Sequence, residues 1–98
     1  MCYIREEGKY YNGAAIVPCG SHKSQAELEA ACDAHESCFG YSMRILDGYT
    51  ASNTGATAND HGLYPWCLKW VESIGLRGNT NKEDFYRKIE CEGNDGRC

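Results

Sequence analysis

Two hydrophobic periods run along the 98-residue chain, and the change from one to the other falls inside Ser24–Arg44, SQAELEAACDAHESCFGYSMR. Ser24 and Glu27 stand in the S-x-x-E relation of a capping box, in which the serine takes a free helix N–H and the glutamate reaches back to the cap. Gln25 to His35 holds no Gly, Pro or β-branched residue. Leu28, Ala31, Cys32 and His35 recur at three- and four-residue spacing, so a helix with one core-facing stripe is predicted. After Ser37 the period falls to two. Phe39, Tyr41 and Met43 are assigned to one side of a half-buried strand and Gly40, Ser42 and Arg44 to the other. Cys32 and Cys38 flank the corner between helix and strand.

The flanking segments extend this picture. Cys2–Ile4 and Tyr10–Val17 are the first strand candidates, parted by the charged turn Arg5–Lys9; Asn12-Gly13 fits a type I′ turn or a bulge, and Pro18-Cys19-Gly20 ends the run. Leu63–Val71 alternates, with Tyr64, Trp66, Leu68 and Trp70 expected on one face and Pro65, Cys67, Lys69 and Val71 on the other. Pro65 marks a strand start or an edge. Asp84–Cys91 reads as the last strand. Between these lie a polar stretch, Asp47 to Gly62, rich in Gly, Ala, Ser, Thr and Asn, and a Gly/Asn-containing connection, Glu72–Lys82, read as loop. Residues 92–98 have the composition of a frayed tail. One domain over 1–91, a small twisted antiparallel sheet cradling one helix, accounts for the elements, which is an α+β arrangement.

The helix ending in A-x-C, the short turn and the C-x-G-[YF] strand resemble the PAN/Apple family of extracellular modules. Trp66-Cys67-Leu68-Lys69, similar to the family's C-x-L-K strand, and Phe85–Cys91, similar to its closing aromatic strand and terminal cysteine, extend the resemblance over most of the chain. What it implies is a non-catalytic module that adheres to protein or carbohydrate. One departure is plain: Leu28 stands where the family usually carries a helical cysteine paired to the C-x-L-K cysteine, which opens the question of the partner of Cys67. Pairing Cys2 with Cys91 ties the termini, worth about 4.6 kcal/mol in the chain-entropy model, and Cys32 with Cys38 fixes the corner for about 2.4 kcal/mol. Cys19 and Cys67 then remain for each other. A competing scheme, Cys32–Cys67 with Cys19–Cys38, is not excluded by the sequence alone.

Composition narrows the setting. Seven cysteines in so short a chain fit a secreted or surface domain, where staples supplement a small core. Zinc is set aside because neither a C-x-x-C nor an H-x-x-x-H pair occurs. No signal-peptide pattern or membrane-length apolar run is present, and Met1 directly precedes Cys2, as expected of a fragment whose leader has been removed. A formal charge of −4 without a basic cluster argues against nucleic acid and anionic membrane as partners. N-x-S/T sequons are absent. Seven being odd, one thiol lacks an intramolecular partner; Cys98 is the candidate, either unpaired or joining a second chain as a disulfide-linked dimer.

Catalysis finds little support. His22, His35 and His61 are scattered, His35 suits a helix C-terminus, and cysteines held in disulfides are no nucleophiles. No cofactor is indicated. Asp47, Asn53, Asn59 and Asp60 raise a calcium site, but the spacing is not that of an EF-hand, and ordinary turn polarity is the simpler reading. Seven tyrosines and two tryptophans are the better clue, since such rings suit recognition surfaces. The expected binding residues are Arg44, Tyr49, Asn53, His61, Tyr64, Trp66 and Trp70, with the Asp47–Gly62 loop as specificity element rather than folding element. The alternative from another class is a structural cross-linking unit of a secreted matrix or adhesive, suggested by the tyrosines and the odd cysteine. A toxin or protease inhibitor lacks a cysteine-framed exposed loop.

Overall fold

Ser24 caps helix α1 (Gln25–Ala34), its hydroxyl accepting from the Glu27 N–H at 3.1 Å. The Glu27 carboxylate answers from the N–H of Lys23 at 3.1 Å, one residue ahead of the cap N–H that the capping box predicts. Leu28 and Cys32 are fully buried, while His35 falls outside the core stripe. His35 is instead the C-cap, in extended conformation, donating its N–H to the Cys32 carbonyl. The Lys88 ammonium donates to the carbonyls of Cys32 (2.7 Å) and His35 (3.1 Å), bringing a cation to the negative end of the helix dipole.

The computed structural model describes residues 1–45, 55–70, 75–78 and 83–91. Its strands are β1 (Cys2–Glu6), β2 (Lys9–Asn12), β3 (Cys38–Arg44), β4 (Tyr64–Trp70), β5 (Gly75–Gly78) and β6 (Glu83–Ile89). A four-stranded antiparallel sheet runs in the order β1-β6-β3-β4, and β2 and β5 form a separate antiparallel ribbon. The ribbon corrects two expectations. Tyr10–Val17 is no continuous strand but stops at Asn12, just before Gly13, and the segment read as a loop over Glu72–Lys82 contains β5. Among the described residues the chain is thus a small α+β domain with one helix and three disulfides.

Strand β3 is central, and the expectation that it is half-buried is replaced by burial on both faces. On one face α1 packs Leu28 and Cys32 into a cluster with Tyr41, Met43, Leu63, Leu68 and Tyr86. On the other, Phe85 meets Tyr11 and Phe39, with ring centroids 4.6 and 5.8 Å away. Phe39 therefore does not share a side with Tyr41, whose ring stacks on Tyr86 at 5.0 Å. A bulge is responsible: Cys38 pairs Trp70 and Gly40 pairs Lys69, leaving Phe39 without a cross-strand partner in β4. Gly40 is required here, because a β-carbon would overlap the Tyr86 carbonyl oxygen and the edge of the Phe85 ring.

A second bulge passes over Trp66, between the pairs Ser42–Cys67 and Met43–Pro65. Strand β4 consequently departs from simple alternation. Pro65, Cys67, Leu68 and Lys69 are buried, Tyr64 and Trp66 are half-buried, and Trp70 is 40% exposed. Pro65 does lie in the edge strand of the sheet. That edge is covered by the segment after β2: Ala15 bridges Lys69, the Ile16 N–H donates to the Leu68 carbonyl at 2.8 Å, and the Gly20 N–H to the Trp66 carbonyl at 2.6 Å.

The disulfides are Cys2–Cys91, Cys19–Cys67 and Cys32–Cys38, with Cα separations of 5.1, 4.4 and 5.3 Å. The competing connectivity is excluded. Leu28, in the position of the missing helical cysteine, is fully buried as an apolar core residue, and Cys67 reaches sideways to the covering segment. Cys98, proposed as the odd thiol, lies outside the described residues, as does the rest of 92–98.

Candidate functional site

Arg44 ends β3 and Tyr64 begins β4 as its register partner, so both stand at the same end of the sheet. The Arg44 guanidinium carbon sits 4.9 Å over the centre of the Trp66 ring. A planar cation above an indole face is attracted by the ring quadrupole, by about 0.5–1 kcal/mol at an exposed site. The Trp66 bulge places this ring next to the covering segment, where Gly20 adopts φ +83° and a β-carbon would lie 3.5 Å from the indole. The Cys19–Cys67 bridge adjoins both residues and fastens the segment to β4. Arg44, Trp66 and Tyr64 therefore form a corner whose backbone is held by a disulfide, two strand pairings and a bulge.

Behind Arg44 lies a polar row. The Lys69 ammonium donates to the Gly13 carbonyl at 3.0 Å, and burial lowers its pKa below the ordinary lysine value. Burial likewise raises the Glu83 carboxyl above the usual range, against the opposing pull of its Ser42 hydrogen bond and of the Arg44 and Lys69 charges. The Ser42 hydroxyl also accepts from the Cys67 N–H at 3.3 Å. This row keeps a carboxylate close to the guanidinium.

The other expected residues do not all join the corner. Trp70 is four residues along β4 from Trp66, about 13 Å at the usual strand rise, and its ring faces His35 edge-on at 6.5 Å. His61 is exposed on the turn before β4, where its N–H donates to the Asn59 side chain. Tyr49 and Asn53 lie outside the described residues, as do Asp47 and the other residues of 46–54.

Residues 55–62 correct the view of the preceding loop as unanchored. Ala56 is buried, and the Thr57 N–H donates to the Lys23 carbonyl at 2.9 Å. The Asn59 side-chain oxygen accepts from the N–H groups of His61 and Leu63, both at 3.0 Å, and its amide donates to the Tyr86 hydroxyl at 2.8 Å. Asn59 therefore ties the turn to the core, which is incompatible with service as a calcium ligand through the same atoms.

A polar network beneath α1 escaped the sequence reading. The Tyr41 hydroxyl donates to the Glu29 carboxylate at 2.6 Å and accepts from the Gln25 amide at 2.9 Å. The Tyr3 hydroxyl donates to Asp33 at 2.6 Å and approaches the Glu29 carbonyl at 3.2 Å. Burial first, and then the neighbouring carboxylates, push both phenols far above their ordinary range, so they stay protonated donors. The only sequence signal for this network was the polar spacing Gln25, Glu29, Asp33 along one side of the helix, a four-residue period that solvated helix faces share.

Among the described residues no group of three or more His, Cys, Asp or Glu side chains is arranged to hold a metal ion, and no helix is long and apolar enough to cross a membrane. No family model, no curated protein and no solved structure matches the chain, so the corner and the network are read from their own chemistry.

Proposed function

We propose that the chain is a non-catalytic extracellular binding module, PAN/Apple-like as its motifs suggest, that recognises a protein or carbohydrate ligand at the Arg44–Trp66–Tyr64 corner. The observation that carries this reading is the guanidinium over the half-buried Trp66 ring. An aromatic face with a fixed cation and a neighbouring phenol offers an apolar surface together with directional donors, the combination that ligand sites use for orientation. Three disulfides in so small a domain support an oxidising, extracellular setting. The six bonded cysteines are unavailable as nucleophiles, and the histidines stand apart from any acid–base partner described above.

The cross-linking alternative is less favoured because Tyr11, Tyr41 and Tyr86 are buried, which withdraws them from oxidative coupling. The test is an oligosaccharide array and an extracellular-protein pull-down, run with the parent chain, Trp66→Ala and the exposed-site control Glu36→Ala. Glycan binding lost in Trp66→Ala alone supports sugar recognition. A captured protein lost in the same variant alone supports a protein ligand. Binding that survives Trp66→Ala refutes the corner as the site.

A further inference from the structure

The three disulfides are not equally open to solvent. Cys32 and Cys38 are both buried, and Cys2 and Cys91 are both half-buried, whereas the third bridge joins the buried Cys67 to an exposed Cys19. Pro18, Cys19, Gly20 and Ser21 are exposed one after another. They form a turn closed on itself, the Pro18 carbonyl accepting from the Ser21 N–H at 3.3 Å and from the Ser21 hydroxyl at 2.5 Å. Just before it, Ile16 and Val17 pack against the core cluster and fix where the turn begins. The turn itself meets β4 through the bond from the Gly20 N–H to the Trp66 carbonyl and through the bridge. Thiol–disulfide exchange proceeds by attack of a thiolate on one sulfur, so access to that sulfur governs the rate. Cys19 offers access from solvent; Cys67 is 4% exposed and does not.

We infer that the Cys19–Cys67 bridge is a thiol–disulfide exchange site, attacked at Cys19 by the thiolate of a dithiol reductant, and that its opening frees the Pro18–Ser21 turn from the edge of β4. In the first step the thiolate bonds to the Cys19 sulfur and the S–S bond breaks. The electron pair leaves on the Cys67 sulfur, which takes a proton from solvent. The second thiol of the reductant, as its thiolate, then displaces Cys19, which is protonated in the same way. The bridge has gained two electrons and the reductant has become a disulfide. Opening is local, because the Ile16 bond to the Leu68 carbonyl, the other two bridges and the core cluster do not involve the turn. Its effect falls on Trp66, whose carbonyl is bonded by Gly20 and whose indole lies 3.5 Å from the place of a β-carbon on Gly20. The inference does not require that the Arg44–Trp66 corner bind a ligand, since each readout below is chemical or spectroscopic.

The test treats the full chain, with its disulfides intact, with dithiothreitol at neutral pH. Samples are quenched at intervals with iodoacetamide, the remaining bridges are reduced and labelled with N-ethylmaleimide, and peptide mass spectrometry reads the order of opening. Cys19 and Cys67 are expected to take iodoacetamide about tenfold faster than the other four bonded cysteines, in line with access. Reduced glutathione in place of dithiothreitol should leave a trapped intermediate with glutathione on Cys19 and iodoacetamide on Cys67. A nitrogen–proton correlation spectrum recorded while this pair alone is open should show the Trp66 indole signal displaced and that of Trp70 in place. Simultaneous opening of the bridges, earlier opening of another, or glutathione on Cys67 overturns the exchange site. An unmoved Trp66 indole, or a Trp70 indole that collapses to the position of an unfolded chain, overturns the local release of the turn.

Discussion

Replacing Asn59 with alanine removes three hydrogen bonds at once: those from the His61 and Leu63 N–H groups to its side-chain oxygen, and that from its amide to the Tyr86 hydroxyl. Each neutral bond contributes about 0.5–1.5 kcal/mol. The bond to His61 is exposed and belongs at the low end, whereas those to Leu63 and Tyr86 are partly buried. The expected loss is about 2–3 kcal/mol, or a fall in Tm of roughly 10–20 °C for a domain of this size. Thermal denaturation followed by near-ultraviolet circular dichroism, with the disulfides intact, reads it. A cycle with Tyr86→Phe isolates the side-chain pair and should return a coupling of about 1 kcal/mol. A loss below about 0.5 kcal/mol, within the usual range for surface substitutions, would show that residues 55–62 are not a folding element and would return the whole 47–62 segment to the role of an unanchored loop.

Other perturbations test separate parts of the fold. Asp84 accepts from Arg5 and from the Gly8 N–H, both at 2.7 Å, with its side chain almost buried and that of Arg5 partly exposed; Asp84→Ala should cost about 2–4 kcal/mol by denaturant unfolding, because two charge-assisted hydrogen bonds are lost, and Asp84→Asn less, because the amide oxygen still accepts. Gly40→Ala should destabilise by about 1–3 kcal/mol or more through overpacking against Tyr86 and Phe85, measured the same way. Burial raises the folded-state pKa of Glu83 above its ordinary 4.5, so the folded state holds that proton more tightly and stability falls as pH rises from 4.5 through the raised value. Glu83→Gln should flatten that decline in a pH series of melts. The raised phenols of Tyr3 and Tyr41 work in the same sense above their ordinary 10.0: stability present below that pH drains away above it, and ultraviolet titration should show these two ionising only as the protein unfolds.

Much of the frame was readable because it depends on local chemistry. Ser24 and Glu27 mark the helix start whatever surrounds them, and Leu28 and Cys32 reach the core because one turn of helix separates them. The three disulfides follow the pairing that ties the ends and the helix corner, although the sequence left Cys67 a choice between Cys19 and Cys32. Phe39 was assigned to the wrong face for a single reason. Alternation assumes an unbroken ladder, and a bulge shifts every later side chain without leaving a mark in residue type. β5 went unread because Gly75-Leu76-Arg77-Gly78 has turn composition and becomes strand only against Lys9–Asn12, far away in the chain. The Tyr3–Asp33 and Tyr41–Glu29 bonds likewise join residues that no spacing rule connects. Trp66 was named from its residue type; its union with Arg44, and its distance from Trp70, are consequences of the bulged β3–β4 pairing.

The two tryptophans permit a direct test of the proposed recognition surface. In a nitrogen–proton correlation spectrum their indole N–H signals are few and separately assignable, while Arg44 reports through its Nε–H. A ligand drawn from the array or pull-down is predicted to shift the Trp66 and Arg44 signals together and leave the Trp70 indole in place. A ligand that moves Trp70 while Trp66 and Arg44 stay fixed would contradict the account and transfer the site to the opposite end of β4.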